Sequence, residues 1–132
     1  MEVLPMLAFR SAVEAQDMQA AVATLAEDVR FRSPIVFREY EGREQVGMVL
    51  MAVSRVFQDF RYDREIGTPE ARDHALVFRA RVGDRDLEGV DLLRTNADGL
   101  VEELVVMVRP MSAALALQKA MAEQLAAAGG AA

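Results

Sequence analysis

Asp91 is the residue of this chain best placed to do chemistry. The stretch from Glu88 to Pro110 reads as two long strands joined by the turn Asn96-Ala-Asp-Gly99. Side chains alternate along a strand, so Leu87, Gly89, Asp91 and Leu93 share one face. An acid on an apolar face needs a partner, stays protonated, or serves a ligand. A carboxyl kept protonated by apolar walls can donate a hydrogen bond to a ligand oxygen and exchange a proton with it. The competing reading is a structural carboxylate tied to Arg94, Arg109 or a backbone N–H.

Other reactive side chains are few. Ser33 could be a nucleophile, but no histidine lies near it in a usable pattern, and Ser33-Pro34 reads as a strand break. His74 is the single histidine and follows a Pro-containing loop, Gly67 to Asp73, so a solvated position is expected. Tyr62 alternates with Phe60 and Ile66, which puts it in the core with its hydroxyl at an edge; Tyr40 could offer a second pocket hydroxyl. Met48, Met51, Met107, Met111 and Met121 read as core fillers. Asp84-Arg-Asp86 is a charge cluster on a hairpin turn and is expected in solvent. With no cysteine and one histidine, thiolate nucleophiles, disulfides and histidine-rich metal centres are excluded. No metal or cofactor is expected.

The whole chain agrees with a small-molecule container. Its 132 residues suit one domain able to bury a core unaided, expected over 1–128, with 129–132 as a disordered tail. The net charge of −6 repels a phosphate backbone, and the arginines are scattered, so no nucleic-acid partner is expected. All basic residues but Lys119 are arginine, which suggests a GC-rich bacterial genome. No secretory leader or membrane-spanning apolar run is visible, so the expectation is a cytoplasmic protein without a membrane partner.

The elements that must position Asp91 follow from periodicity. Residues 5–15 and 17–27 read as two short helices, the second capped by Asp17, with Met18, Val22 and Leu25 on one stripe. Val29 and Phe31 then alternate as a half-buried strand, and Ile35 and Phe37 suggest a second, ended by Tyr40-Glu-Gly42. Residues 43–57 form the clearest helix, with Val46, Val49, Leu50, Val53 and Phe57 on one face. Four strands follow, about 59–66, 75–82, 86–95 and 100–109, then a helix over 111–127 with Leu117, Met121 and Leu125 on one stripe. This order gives an α+β fold, a cone-shaped curved antiparallel sheet wrapped around N-terminal helices, plus a C-terminal helix.

The hairpin at Val82-Gly-Asp-Arg85 sets a register, because glycine comes first as a II′ turn prefers. It pairs Leu76 with Asp91, Phe78 with Gly89 and Ala80 with Leu87 on one face, and Arg79 with Glu88 and Arg81 with Asp86 on the other. A one-residue slip would set arginines against the apolar set. The next hairpin leaves two readings. If Asn96 pairs with Gly99, Asp91 faces Leu104, and Val106 and Val108 share its face; if Gly99 forms a bulge, the set becomes Val105, Met107 and Arg109.

Ala15-Gln-Asp17, the run from Ala26 to Pro34, Glu41-Gly42 before the third helix, and the run from Val90 to Gly99 occur in an order that resembles the nuclear-transport-factor-2-like superfamily. That group holds SnoaL-like polyketide cyclases, ketosteroid isomerases and limonene epoxide hydrolases. The resemblance covers most of the chain up to Pro110 and implies a cone-shaped α+β fold. Asp91 looks like the oxyanion-hole aspartic acid of ketosteroid isomerases, the established example of a carboxylic acid kept neutral by an apolar site. Their general-base aspartate falls on Ser33 and their oxyanion-hole tyrosine on Phe9. Serine is no carbanion-forming base at neutral pH, and a phenyl ring donates no hydrogen bond, so steroid isomerisation by that mechanism is not expected. The epoxide hydrolase pattern also fails, since its late aspartate falls near Val106.

The chain therefore reads as a divergent SnoaL-like protein with a mostly apolar pocket between the first and third helices and the concave sheet face. Asp91 is the catalytic candidate. Phe9, Val13, Ser33, Phe57, Phe78, Gly89, Leu104 and Val106 are expected to line the pocket with it. Three functions compete: a cofactor-independent acid–base enzyme (isomerase, cyclase or hydratase), a non-catalytic binder of a small apolar ligand, and a dimerisation module with a vestigial pocket. The first predicts a second polar group beside a ligand at Asp91, the second an isolated Asp91, the third an Asp91 consumed by arginine. A homodimer through the convex sheet face, around Val77, Val90 and Leu92, is also expected.

Overall fold

The computed structural model describes residues 7–127, so the expected tail lies outside the described residues. The order is α1 (Ala8–Glu14), α2 (Met18–Ala23), β1 (Leu25–Arg32), β2 (Glu39–Glu41), α3 (Arg43–Val56), β3 (Gln58–Ile66), β4 (Asp73–Val82), β5 (Arg85–Thr95), β6 (Val101–Arg109) and α4 (Met111–Ala127). Six strands form one sheet in the order β2-β1-β6-β5-β4-β3. The expected α+β architecture is present, with one departure from an all-antiparallel sheet: β1 runs parallel to β6. Those strands are joined through the rest of the domain, and only strands joined by a short hairpin are forced to be antiparallel.

Two local readings are corrected. α2 ends at Ala23, because Thr24 turns back to the Ala21 carbonyl through both its N–H and its hydroxyl, and Leu25 enters the sheet opposite Val101. Helical spacing at Leu25 lost to a strand partner. Ile35 and Phe37 form no strand. Ser33 Oγ accepts from the N–H groups of Ile35 and Val36, and Pro34 has no N–H to give a ladder.

The β4–β5 hairpin has the expected register throughout, including Leu76 with Asp91 and Phe78 with Gly89. Gly83 takes φ 60 in its turn. Arg79 reaches Glu88 at 3.0 Å, whereas Arg81 turns to Asp59 on β3 at 2.9 Å rather than to Asp86. At the next hairpin Gly99 does form a bulge, with φ 78, and Asn96 pairs with Leu100. A second irregularity between Arg94 and Thr95 shifts the ladder again. Two one-residue shifts restore the original faces, so Leu104, Val106 and Val108 point the same way as Asp91, whose direct partner is Val106. Arg109 stands on the outer face, with Nη1 3.1 Å from Glu88 Oε1.

The concave face is covered by helices in two places. α1, α2 and α3 pack with β1 over Leu76, Leu93 and Leu104. α4 and the end of α3 pack over Phe78, Ala80 and Leu87 through Ala113, Leu117 and Val56. Tyr62, Val106 and Met121 touch both apolar clusters and bridge them. The methionines divide: Met121 packs inside, whereas Met48, Met107 and Met111 are exposed rather than core fillers. No described helix is long and apolar enough to cross a membrane.

Candidate functional site

A cavity of about 680 Å³ opens between the two apolar clusters, within the size range of small-molecule sites. Phe9 and Val13 come from α1, Val49, Leu50 and Val53 from α3, Phe78, Asp91, Leu104 and Val106 from the sheet, and Leu117 and Met121 from α4. Phe57, Phe60 and Phe78 stack into one aromatic wall, with centroids 5.0 to 5.6 Å apart. Glu14, Gln16, Ser54, Asp59 and Arg61 add exposed polar groups to the lining.

Eight of the nine expected lining residues border this space: Phe9, Val13, Ser33, Phe57, Phe78, Asp91, Leu104 and Val106. Gly89 does not. The Phe78 ring lies across it, so a Cβ there would overlap Phe78 Cζ and stand 2.8 Å from the Met107 carbonyl oxygen. Gly89 acts one layer back, letting Phe78 lie flat against the sheet. The α4 wall is an addition; its stripe was readable in Leu117 and Met121, but its landing place was not.

Asp91 is 7% exposed and has no arginine partner among the described residues. Arg94 is held by Asp73 and Arg109 by Glu88, so neither candidate cation reaches it. Its one side-chain hydrogen bond comes from Tyr62, whose hydroxyl donates to Oδ2 at 3.1 Å. Burial pushes the Asp91 carboxyl up to about 7, and the bond from Tyr62 works against that shift by favouring the ionised form. Burial also pushes the Tyr62 phenol well above its usual range, reinforced by the neighbouring Asp91. Near neutral pH the pair therefore holds a poised carboxyl beside a firmly protonated phenol.

Tyr62 is the residue sequence reasoning undervalued. It reaches Asp91 because β3 breaks alternation twice, between Gln58 and Arg61 and between Tyr62 and Arg64. The second shift sends Ile66 to the outer face opposite Ala75, where it is half exposed, although simple alternation puts it on the face of Tyr62. Phe60 meets the Tyr62 ring edge-on at 5.0 Å.

The remaining candidates play other parts. The Ser33 hydroxyl serves its own loop, as above. Tyr40 packs on Phe31 and under Arg38. His74 is buried, not solvated: it points inward opposite Leu93, with Nε2 2.7 Å from the Ala71 carbonyl and Nδ1 without a partner among the described residues. The loop it follows folds back over it. No cluster of three or more metal-ligating side chains occurs among the described residues.

A curved sheet closed by helices over a cavity, with Asp91 the buried acid among the described residues, defines the α+β fold class. The chain belongs to the SnoaL-like domain family, which it matches over residues 6–104. It is 38% identical to a steroid delta-isomerase from Pseudomonas aeruginosa, with a TM-score of 0.82 over 95% of this chain and 97% of that one. An uncharacterised bacterial protein of cystatin-like fold from Silicibacter pomeroyi DSS-3 is also 38% identical, with a TM-score of 0.84 over 90% and 83% of the two chains. A protein of ketosteroid isomerase-like fold from Catenulispora acidiphila DSM 44928, in complex with trimethylamine, shares the fold at 14% identity, with a TM-score of 0.64 over 89% and 95%. Among curated proteins none matches.

Proposed function

We propose that this protein binds a small apolar molecule carrying an oxygen, and that Asp91 exchanges a proton with that molecule without a cofactor. The observation that carries the reading is the Tyr62–Asp91 hydrogen bond in a cavity whose other polar lining, apart from Ser33, comes from exposed residues. It supplies the second polar group that an acid–base site requires, and it is not an arginine that would neutralise the acid. A carboxyl with a pKa of about 7 can give and take a proton at neutral pH, which is the condition for general acid–base catalysis. The Pseudomonas aeruginosa steroid delta-isomerase at 38% identity supports chemistry of the isomerase kind. The ordinary ketosteroid isomerase assignment is not carried over whole, because Ser33 stands at the base position and spends its hydroxyl on Ile35 and Val36. That same observation favours the second reading, a binder that does not turn its ligand over. On either reading a Δ5-ketosteroid is expected to turn over below about 1 s⁻¹, the low end of ordinary enzymes.

Two measurements separate these readings. Fluorescence titration with 2-naphthol, an apolar phenol, should show saturable binding that weakens about tenfold in Asp91→Leu, the worth of one hydrogen bond of ~1.4 kcal/mol. Exchange of the α-protons of 2-tetralone with D2O should be accelerated by the wild type and not by Asp91→Asn. Binding without exchange would leave the non-catalytic reading, and equal binding by wild type and Asp91→Leu would remove both.

The outer face supports self-association. Ala75, Leu92 and Val105 lie side by side across three strands, as do Val77, Val90 and Met107. Leu92 and Met107 are exposed, so the stripe is a contiguous apolar surface, flanked by the Arg79–Glu88 and Arg109–Glu88 ion pairs as a polar rim. A second copy of this chain across that face is the partner that fits.

A further inference from the structure

Arg10 of α1 does not line the cavity, yet it lies over the ring of the residue that completes the site. Its guanidinium carbon stands 5.6 Å from the Tyr62 ring centroid, within cation–π range. Two carboxylates hold it there: Nη1 is 3.0 Å from Glu65 Oε1 on β3, and Nη2 is 3.3 Å from Glu14 Oε2 one helical turn on. The Glu65 contact depends on the bulge in β3. Tyr62 pairs with Phe78 and Glu65 with Leu76, both on the concave face, although residues three apart on a regular strand point to opposite faces. The bulge thus turns a glutamate inward, under α1, at the position that anchors the arginine above the tyrosine. An inward-facing charge on a sheet costs stability unless it is paired.

We infer that Arg10 is a positioning residue, which with Glu65 clamps the Tyr62 ring so that its hydroxyl is held on Asp91. This rests on the reading of Asp91 as the ligand-facing acid. The guanidinium lies over the ring and Phe60 meets it at 87°, two contacts that restrict how the ring can turn. The charged groups that face this stack are Arg10 and Glu14 from α1, Glu65 from β3 and Asp91 from β5. On the Tyr62 phenol itself the charge of Arg10 is outweighed by that of its partner Glu14, so the clamp acts by placing the ring rather than by its charge.

The test is a double-mutant cycle read at Asp91. The side-chain carboxyl shift of Asp91 is followed by carbon NMR against pH in wild type, Arg10→Met, Tyr62→Phe and the double variant. Arg10→Met should raise the Asp91 midpoint by about 0.5 or more, because the Tyr62 bond that favours ionisation is loosened. Arg10→Lys should recover part of the change. In the Tyr62→Phe background Arg10→Met should move the midpoint by no more than about 0.2, since the effect runs through the hydroxyl. If Arg10→Met fails to fold with Glu65 left unpaired, Arg10→Met/Glu65→Gln takes its place throughout. An unmoved midpoint in the folded variant, or an equal shift with and without the Tyr62 hydroxyl, would overturn the positioning role. A wild-type Asp91 that titrates in the ordinary carboxylate range, near 4, would instead overturn the functional reading beneath it.

Discussion

Replacing Asp91 with asparagine removes a charge that the fold does not want. The carboxyl ionises near 3.8 in the unfolded chain and near 7 in the folded one. Between those values the folded state keeps a proton that the unfolded state has lost. Stability therefore falls as pH rises through this window, at up to about 1.4 kcal/mol per pH unit, and levels off above the folded pKa. Across the roughly three pH units of the window the loss comes to about 4 kcal/mol, an upper figure because water and relaxation screen a real site. Asparagine keeps the shape and an oxygen for the Tyr62 hydroxyl, and it does not titrate. The two proteins should match within about 1 kcal/mol at pH 4.5, and Asp91→Asn should be the more stable by several kcal/mol at pH 8. Urea midpoints at four pH values between these limits measure the difference, and other ionisable groups cancel in the subtraction. A wild-type minus mutant difference that stays flat from pH 4.5 to 8 would refute the reasoning, as would a mutant that is weaker at pH 8.

Gly89→Ala should cost at least 1–3 kcal/mol by thermal or urea unfolding, because the Met107 backbone cannot retreat and Phe78 must swing toward the cavity. The same variant should bind 2-naphthol more weakly, and unchanged affinity would show that Phe78 does not form the wall described. Val90→Glu should convert a dimer to a folded monomer in sedimentation at tens of micromolar, by bringing two carboxylates together across a two-fold axis. A wild type that sediments as a monomer would leave the outer stripe unexplained by self-association.

The legible parts of this fold were those where two independent signals agreed. Leu76 opposite Asp91 followed from apolar alternation and from Arg79 facing Glu88, and the turn glycine fixed the count. The inward set of β6 could not be chosen from sequence, because it depends on two bulges that cancel, and only Gly99 announces one of them. Tyr62 was visible as an aromatic residue, but its role needs β3 to break register and its hydroxyl to reach past one intervening strand, β4, to Asp91 on β5. His74 was misplaced because a loop's polarity says little about whether it folds back over its own strand. The lining residues Phe9, Leu104 and Val106 were found by assigning faces to elements, and Gly89 was miscounted because its neighbour's ring, not its own position, decides what it touches.

The parallel pairing of β1 with β6 has a consequence for the order in which the molecule can be made. β1 leaves the ribosome among the first elements, but its inner partner, Val101–Arg109, is nearly the last. Until β6 emerges, Leu25, Val29 and Phe31 can gather only the helices and the short β2 beside them. β3, β4 and β5 meanwhile form a meander of local hairpins that needs nothing from the N-terminal half. Chain entropy favours such local pairings first, β6 on β5 included, so the expected late step is the non-local join of β1 to β6. Its Leu104 and Val106 are walls of the cavity, and the cavity exists only once that join is made. A nascent or destabilised chain would then lose its cavity before it loses its hairpins, with the apolar edge of β1 open to pairing with another chain.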